Sequence, residues 1–295
     1  MPTSTLCLIG DPSASAGTPP RLTDASASDP HVRVSDLGVN RGDGVFEVAG
    51  CLAGRVQALD AHLDRLARSA AMLDLPAPNL EHYRAAVHRC VDALTVAQPD
   101  RELLVKFVYT RGQEMGAPTP PTGWAMAYPN PDHSAQRAGI DVVTLSRGIA
   151  SGVGRDAPWL LPGAKSLSYA VNRAAMREAA RRGADDVLFV STDGHALEGP
   201  SSSLIARIRG VLVSPHPDEG VLPGTTQADV FAWAAARGVP TQVRPVPASE
   251  LADADALWLV ASGRLCSPIR SLDGRPYAVD AALTAEWNAA LLARG

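Results

Sequence analysis

Lysine is nearly missing from this chain. Of 27 basic residues only Lys106 and Lys165 are lysines; the rest are arginine. Arginine keeps its proton in a protein, whereas a lysine can lose one and become a nucleophile. Cysteine is also sparse. Cys7, Cys51, Cys90 and Cys266 stand far apart, with no CxxC or metal-like spacing, and read as four reduced thiols of a cytosolic protein. No apolar run approaches the roughly 20 residues of a membrane span. The N-terminus has no basic stretch before an apolar run, which speaks against a signal peptide. The seven histidines include no HExxH and no paired ligand spacing, so no metal site is expected. Dinucleotide and GxSxG fingerprints are absent too. With a net charge of −4, no global basic field recruits nucleic acid or anionic lipid. The expectation is a cytoplasmic protein with no nucleic-acid or membrane partner.

What remains is ordinary globular material. A length of 295 residues, 46% apolar and 20% charged, suits one large or two medium domains. Residues 10–30, rich in Ser, Ala, Pro and Asp, read as a mobile loop or arm. Val32–Ser35 reads as a short strand. Strands follow at Val45–Val48, Arg55–Ala58, Leu103–Thr110 and Gly123–Tyr128, with Ala49-Gly50 as a turn. Helices are expected from an Asp60 N-cap to Leu73 and over Leu80–Val96. Pro129–Ala138 is polar and turn-forming. We place a smaller N-terminal α/β domain over 1–130, a linker over 131–137 and a larger domain over 138–295. In the latter a loop over Gly148–Pro162 leads to a helix ending near Arg182, with Gly183 as its C′ residue. Strands alternate with helices from Thr226 and Asp280 to the end. The fold class is α/β, mixed α+β.

Lys165 sits at a loop-to-helix boundary, where the positive end of a helix dipole favours a depressed pKa. A solvated lysine is the plain alternative. Glu198 lies 33 residues further on, in a Gly-Pro-Ser-Ser-Ser context. A Schiff-base lysine with an acidic partner for a pyridine nitrogen is the minimum of a pyridoxal phosphate enzyme. Gly224-Thr225-Thr226, at an expected helix start, offers N–H groups and hydroxyls to an anion. Ala261-Ser262-Gly263 is a second such loop. Each also has a plain reading: an N-capped turn, a hairpin-end carboxylate, or, for Arg65, an exposed helix arginine.

Together these stretches are recognisable. RGDGVFE at 41–47, HLDRL at 62–66, GAKSLSYAVN at 163–172, EGPSSS at 198–203, LPGTT at 222–226 and ASGRLCSPIRSLDG at 261–274 resemble the class IV aminotransferase family. Its members are the fold type IV pyridoxal phosphate enzymes. The similarity spans about residues 32–275, in order. It implies a two-domain D-amino-acid-aminotransferase-like fold with pyridoxal 5'-phosphate between the domains, assembled as a homodimer. Lys165 would be the Schiff-base lysine and proton shuttle, Glu198 the pyridinium partner and Arg65 a phosphate ligand. Leu222, Thr225 and Thr226 would pack the ring and cradle the phosphate. Ala261 and Ser262 stand where the family often has Gly and Thr; a backbone contact to phosphate survives both changes. Tyr169 does not align with the family tyrosine.

Three places bear on substrate. Gln113-Glu114-Met115-Gly116 lacks the Arg-x-His pair of D-amino-acid enzymes, and Val105-Lys106-Phe107 lacks the signature of branched-chain enzymes. A lysine in that strand before Thr-Arg-Gly resembles 4-amino-4-deoxychorismate lyases. Phe46, Glu47, Lys106 and Tyr169 are therefore the candidate substrate residues, although Glu47 stands where a lyase has threonine. Lys106 shares a strand face with Leu104 and Val108, which leaves open whether it points outward or meets a substrate carboxylate. The resemblance implies a lyase releasing p-aminobenzoate and pyruvate for folate synthesis. Its alternatives are an aminotransferase for branched-chain L-amino acids, D-amino acids or (R)-amines, and a non-catalytic binding protein with this fold.

Overall fold

A computed structural model describes residues 3–115 and 119–294. By its internal contacts the chain divides into two units. One takes residues up to Pro131 with Ala164–Tyr169 and Arg294; the other takes Asp132–Gly163 and Ala170–Ala293.

The first unit is an antiparallel sheet of β1 (Thr5–Ile9), β2 (Leu22–Ala25), β3 (Gly44–Leu52), β4 (Arg55–Val56), β5 (Leu103–Thr110) and β6 (Thr122–Pro129). Their order is β2-β1-β6-β5-β3-β4. Three helices accompany it: α1 (Leu37–Asn40), α2 (Leu59–Met72) and α3 (Leu80–Ala97). Alternation along β3 decides what each side chain meets. Val45, Glu47, Ala49 and Cys51 are buried, while Phe46 and Val48 on the other face are half-buried. Helix α2 lies against β3, and α3 against β1, β5 and β6. Both helices turn an apolar stripe inward: Leu59, Leu63, Leu66 and Ala70 from α2, and Tyr83, Val87, Val91 and Leu94 from α3. Asn79 caps α3 by accepting from the Glu81 and His82 N–H groups.

The second unit is a mixed sheet. Its strands are β7 (Ile140–Ser146), β8 (Asp186–Val190), β9 (Ser203–Ile208), β10 (Val211–Ser214), β11 (Thr241–Val243), β12 (Ala256–Ala261), β13 (Leu265–Leu272) and β14 (Arg275–Pro276). Their order is β11-β10-β9-β12-β13-β7-β8, with β14 on β13. The β10–β11, β13–β7 and β7–β8 pairs are parallel, the others antiparallel. The helices are α4 (Ser134–Ala138), α5 (Val153–Asp156), α6 (Ala170–Arg181), α7 (Thr225–Ala235) and α8 (Ala281–Ala293). One core gathers Leu204, Leu257, Leu259 and Ile269; a second gathers Ile205, Val230, Trp258 and Trp287. Neighbours in sequence thus serve opposite faces, as a two-residue period requires. The Trp258 indole N–H donates to Thr284 Oγ1 at 2.8 Å, so its one polar group is satisfied inside the core.

Several expectations are corrected. Residues 10–30 are not a bare arm: Leu22–Ala25 pairs with β1. The preceding turn is fastened by Asn79 Nδ2, which donates to the Ala14 carbonyl, and by His82, whose Nδ1 and Nε2 lie 3.0 and 2.8 Å from the Asp11 and Thr18 carbonyls. Val32–Ser35 forms no strand. Asp36 instead caps α1, and its buried carboxylate accepts from Gly38 N, Thr110 Oγ1 and Thr122 Oγ1. β3 runs past Ala49-Gly50 to Leu52. Ala58, left-handed at φ 50°, precedes α2, so Asp60 lies in the first turn and is not the cap. The stretch at 131–137 is largely taken up by α4, and the loop 148–162 contains α5 and a 3-10 turn at Pro158–Leu160.

Candidate active site

Lys165 belongs by contacts to the first unit, although the sequence places it beyond the linker. Its segment lies along the first half of β3, which β4 leaves unpaired. Phe46 N donates to the Lys165 carbonyl at 3.0 Å and Leu167 N to the Gly44 carbonyl at 2.8 Å. Val45 and Ser166 form the bridge between them. Lys165 N donates to Ser69 Oγ of α2 at 3.1 Å. The Arg-Gly-Asp-Gly motif makes this approach possible. A Cβ on Gly44 would stand 2.8 Å from the Tyr109 carbonyl and 2.9 Å from Leu167 Cδ1; one on Gly42, at φ +69°, would stand 2.7 Å from Ser168 Oγ.

The open face of the sheet collects the chemistry. Lys165 Nζ lies 4.6 Å from the centre of the Phe46 ring. Tyr169 meets the same ring edge-on, with centroids 5.6 Å apart. Lys106 Nζ is 5.1 Å from the Phe46 ring and 5.9 Å from that of Trp124. Both lysines of the chain therefore share one aromatic platform, each contact worth about 0.5–2 kcal/mol depending on desolvation. Burial pushes the Lys106 ammonium below its ordinary value. Among the described residues no carboxylate pairs with it. Lys106 thus lies half-buried on the face of the sheet that carries Phe46 and Trp124.

Glu47 is on the opposite face and reaches no open surface; its exposure is 0%. Arg65 Nε and Nη2 donate to its two oxygens at 2.7 Å each, and His62 Nδ1 lies 2.7 Å from Oε2. Burial would raise the Glu47 carboxyl, but the Arg65 charge and the hydrogen bonds from Arg65 and His62 outweigh it and hold it down at about 2. Burial lowers His62 against the pull of Glu47. A substrate contact was expected of Glu47; its position makes it instead the group that fixes the Arg65 fork. His62, Arg65 and Ser69 lie three and four residues apart and so share one face of α2. Sequence reasoning assigned no part to His62 or Ser69, though this spacing was there to read.

Gln113 and Glu114 are spent on local pairing. Gln113 Oε1 accepts from Ser35 Oγ, and Glu114 pairs with Arg41 at 3.2 Å. Met115 is exposed. Gly116, the last residue of that stretch, lies outside the described residues.

The second unit carries the remaining candidates. Glu198 Oε2 accepts from Leu222 N at 3.1 Å, which ties the carboxylate to the loop before α7. The Glu198 carbonyl accepts from Phe189 N on β8. Gly199 is packed so closely that a Cβ would collide with Ser202 Oγ. Ser202 Oγ accepts from Arg264 Nη2, and Arg264 pairs with the buried Asp186, a support that the sequence did not announce. Thr225 and Thr226 open α7 and are buried. Gly224 caps the helix without a side chain, and a Cβ there would collide with Ser203 Oγ. Thr226 Oγ1 is buried and finds no hydrogen-bond partner among the described residues. A helix start of this kind offers N–H groups and a hydroxyl whose hydrogen bonds an anion's oxygens can complete. Ala261 ends β12, and Ser262 turns toward Gly263, whose carbonyl faces Arg137 Nη2 at 3.5 Å. No group of three or more His, Cys, Asp or Glu among the described residues has metal-holding geometry. No helix among them is long and apolar enough to cross a membrane.

Comparison with known proteins follows the same lines. The model of the family described as "Amino-transferase class IV" matches residues 44–272. The "Bifunctional aminodeoxychorismate lyase / D-amino acid transaminase" of Mycobacterium tuberculosis is 40% identical over 255 residues, covering 83% of this chain and 87% of its own. A fold IV-transaminase from Curtobacterium pusillum superposes with a TM-score of 0.94 at 52% identity, over 99% of this chain and 100% of its own. A hypothetical aminotransferase from Mycobacterium tuberculosis, in its PLP-bound form, gives 0.86 at 37% identity, over 97% and 99%.

Proposed function

The chain belongs to the class IV aminotransferase family, and from that premise we propose that it is a pyridoxal 5'-phosphate enzyme acting on amines that carry a carboxylate, with 4-amino-4-deoxychorismate as substrate and p-aminobenzoate and pyruvate as products. The residues present suit the cofactor. The orphaned Thr226 hydroxyl at the start of α7 suits a phosphate oxygen, as does the guanidinium that Glu47 keeps in place. In this proposal Arg65, Thr225, Thr226, Ala261 and Ser262 hold the phosphate, Leu222 packs the ring, Glu198 faces the pyridine nitrogen and Lys165 carries the cofactor. Bound there, the cofactor draws electrons away from the substrate carbon that bears the amine.

The chain's own residues do the rest. Lys165 Nζ removes the proton from the ring carbon bearing the amine. The C–O bond to the enolpyruvyl group then breaks as the ring becomes aromatic. Lys165 returns the proton to the departing enolpyruvate, which leaves as pyruvate. Glu198, steadied by Leu222 N, keeps a proton on the pyridine nitrogen. Lys106 receives a carboxylate, and Phe46 keeps water from the two amines. The single observation that carries the substrate class is Lys106: a half-buried cation on the same ring as Lys165, with no anionic partner among the described residues.

Transamination of a D-amino acid is the second reading. It is favoured by the double name of the mycobacterial relative and by the likeness to a transaminase over nearly the whole chain. Here Lys165 would take the proton from the carbon bearing the amine; the cofactor would accept the amino group as the first keto acid leaves and pass it on to a second keto acid. The proposal also takes the enzyme to be a cytoplasmic homodimer. One assay separates the two reactions. Aminodeoxychorismate should give p-aminobenzoate and pyruvate in equal amounts. Steady consumption of D-alanine with a keto-acid acceptor, and no p-aminobenzoate, would discard the lyase in favour of the transaminase.

A further inference from the structure

The hairpin turn between β12 and β13 is held from two sides. Arg137 of α4 donates from Nε to the Arg264 carbonyl at 3.1 Å and from Nη2 to the Gly263 carbonyl at 3.5 Å. On the other side the buried Arg264 side chain reaches two further elements. It pairs with Asp186, the fully buried first residue of β8. Its Nη2 also donates to Ser202 Oγ at 3.1 Å. Ser202 in turn closes the bend that begins at Glu198, since its carbonyl accepts from Gly199 N at 2.8 Å. Leu265, next along the chain, is left-handed at φ 63° and packs into the core around Trp258. A leucine keeps that conformation only where its surroundings hold it.

A buried ion pair adds little stability over apolar residues of the same size, because both charges are taken out of water. What this pair supplies is position. Asp186 and Phe189 stand on one strand; the first fixes Arg264, and the second donates its N–H to the Glu198 carbonyl. The guanidinium therefore spans its own turn, β8 and the bend after Glu198. Its planar fork serves two acceptors at once, which an ammonium on a flexible stem does less well. We propose that Arg264 is a positioning residue: through Ser202 it locks the Ala261–Gly263 loop and the Glu198–Ser202 bend into one rigid piece, so that the phosphate and the pyridine nitrogen are gripped at a fixed separation. The proposal rests on the cofactor roles given above to Ser262 and Glu198. Arg264 acts through these residues and is assigned no cofactor contact of its own.

The test uses full-length protein and pyridoxal 5'-phosphate, with two readouts besides turnover: the dissociation constant of the cofactor, and the pH at which its visible absorption titrates when bound. Ser202→Ala removes the oxygen that Arg264 reaches and keeps the Arg264–Asp186 pair. Arg264→Lys keeps a charge beside Asp186 and gives up the fork. Each is expected to weaken the cofactor about tenfold, the loss of one hydrogen bond to a charged group. Each should also move the titration to higher pH, because a displaced Glu198 leaves the pyridine nitrogen less positive, and the nearby nitrogen linked to Lys165 then keeps its proton longer. The two losses share one contact, so the double variant should bind no more weakly than either single one. A merely structural role would lower the melting temperature of the cofactor-free protein and leave the titration where it is. An unmoved titration in a folded variant, with or without weaker binding, overturns the proposal, as do losses that multiply in the double variant. If Ser202→Ala does not fold, Arg264→Lys decides. Wild-type protein that forms no borohydride-reducible link at Lys165 overturns the cofactor reading itself, and the proposal with it.

Discussion

Glu47 and Lys106 show how one alternating strand pair sorts charges into different work. Glu47 faces α2 and is locked to Arg65; Lys106 faces the open side beside Phe46. The folded carboxyl of Glu47 titrates near 2, against 4.5 for an ordinary glutamate. Its pKa is depressed, so its stabilisation is complete above pH 4.5 and is lost as pH falls through 2. A shift of this size corresponds to roughly 3 kcal/mol. Glu47→Gln leaves Arg65 buried without its counter-charge and should cost about 3–5 kcal/mol at pH 7. Denaturant melts from pH 7 to 2 should show that loss, with a flatter acid limb in the variant. Equal stability at pH 7 would remove Glu47 from its role. Lys106→Met should lower kcat/KM for a carboxylate-bearing amine about 10- to 100-fold, roughly 1.4–2.8 kcal/mol, mainly through KM. An uncharged amine should be turned over equally by both proteins; the same loss with either substrate would contradict the assignment. Strand parity already implied that Phe46 and Glu47 point opposite ways. It did not reveal which way was open, because that depends on where α2 packs, and a packing face is a long-range property.

At the level of elements, the sequence was most legible where periodicity is strong and the partner is local. Leu103–Thr110 occupies the expected span, and α3 starts at the expected Leu80. Tertiary partners decided the exceptions. Leu22–Ala25 becomes a strand because β1 offers its edge, and Asp36 gathers three donors that a strand at Val32–Ser35 would not have met. The six residues around Lys165 likewise owe their place to β3. Gly44 permits it, so Gly44→Val should push the lysine segment away from Phe46. The expected cost is about 1–3 kcal/mol of stability by thermal melt, with faster acylation of the Lys165 amine in the cofactor-free protein. A variant with unchanged melting and unchanged acylation would show that the close approach is not needed.

For the molecule as a whole, two sheets serve two units, and the candidate residues divide between them. Lys165, Arg65, Lys106 and Phe46 belong to the first; Glu198, Leu222, Thr225, Thr226 and Ser262 belong to the second. The motifs were legible because their residue types are chemically distinctive; their supports, Ser69, His62 and the Arg264–Asp186 pair, were not, because a supporting hydrogen bond leaves no compositional mark. Scarcity of lysine makes the central claim open to one measurement. The cofactor-loaded protein is reduced with borohydride, digested and mapped by mass spectrometry, with only two lysine side chains able to carry the label. The account predicts a pyridoxyl group on the peptide containing Lys165 and an unmodified Lys106. A label on Lys106 instead, or no label on either, would contradict it.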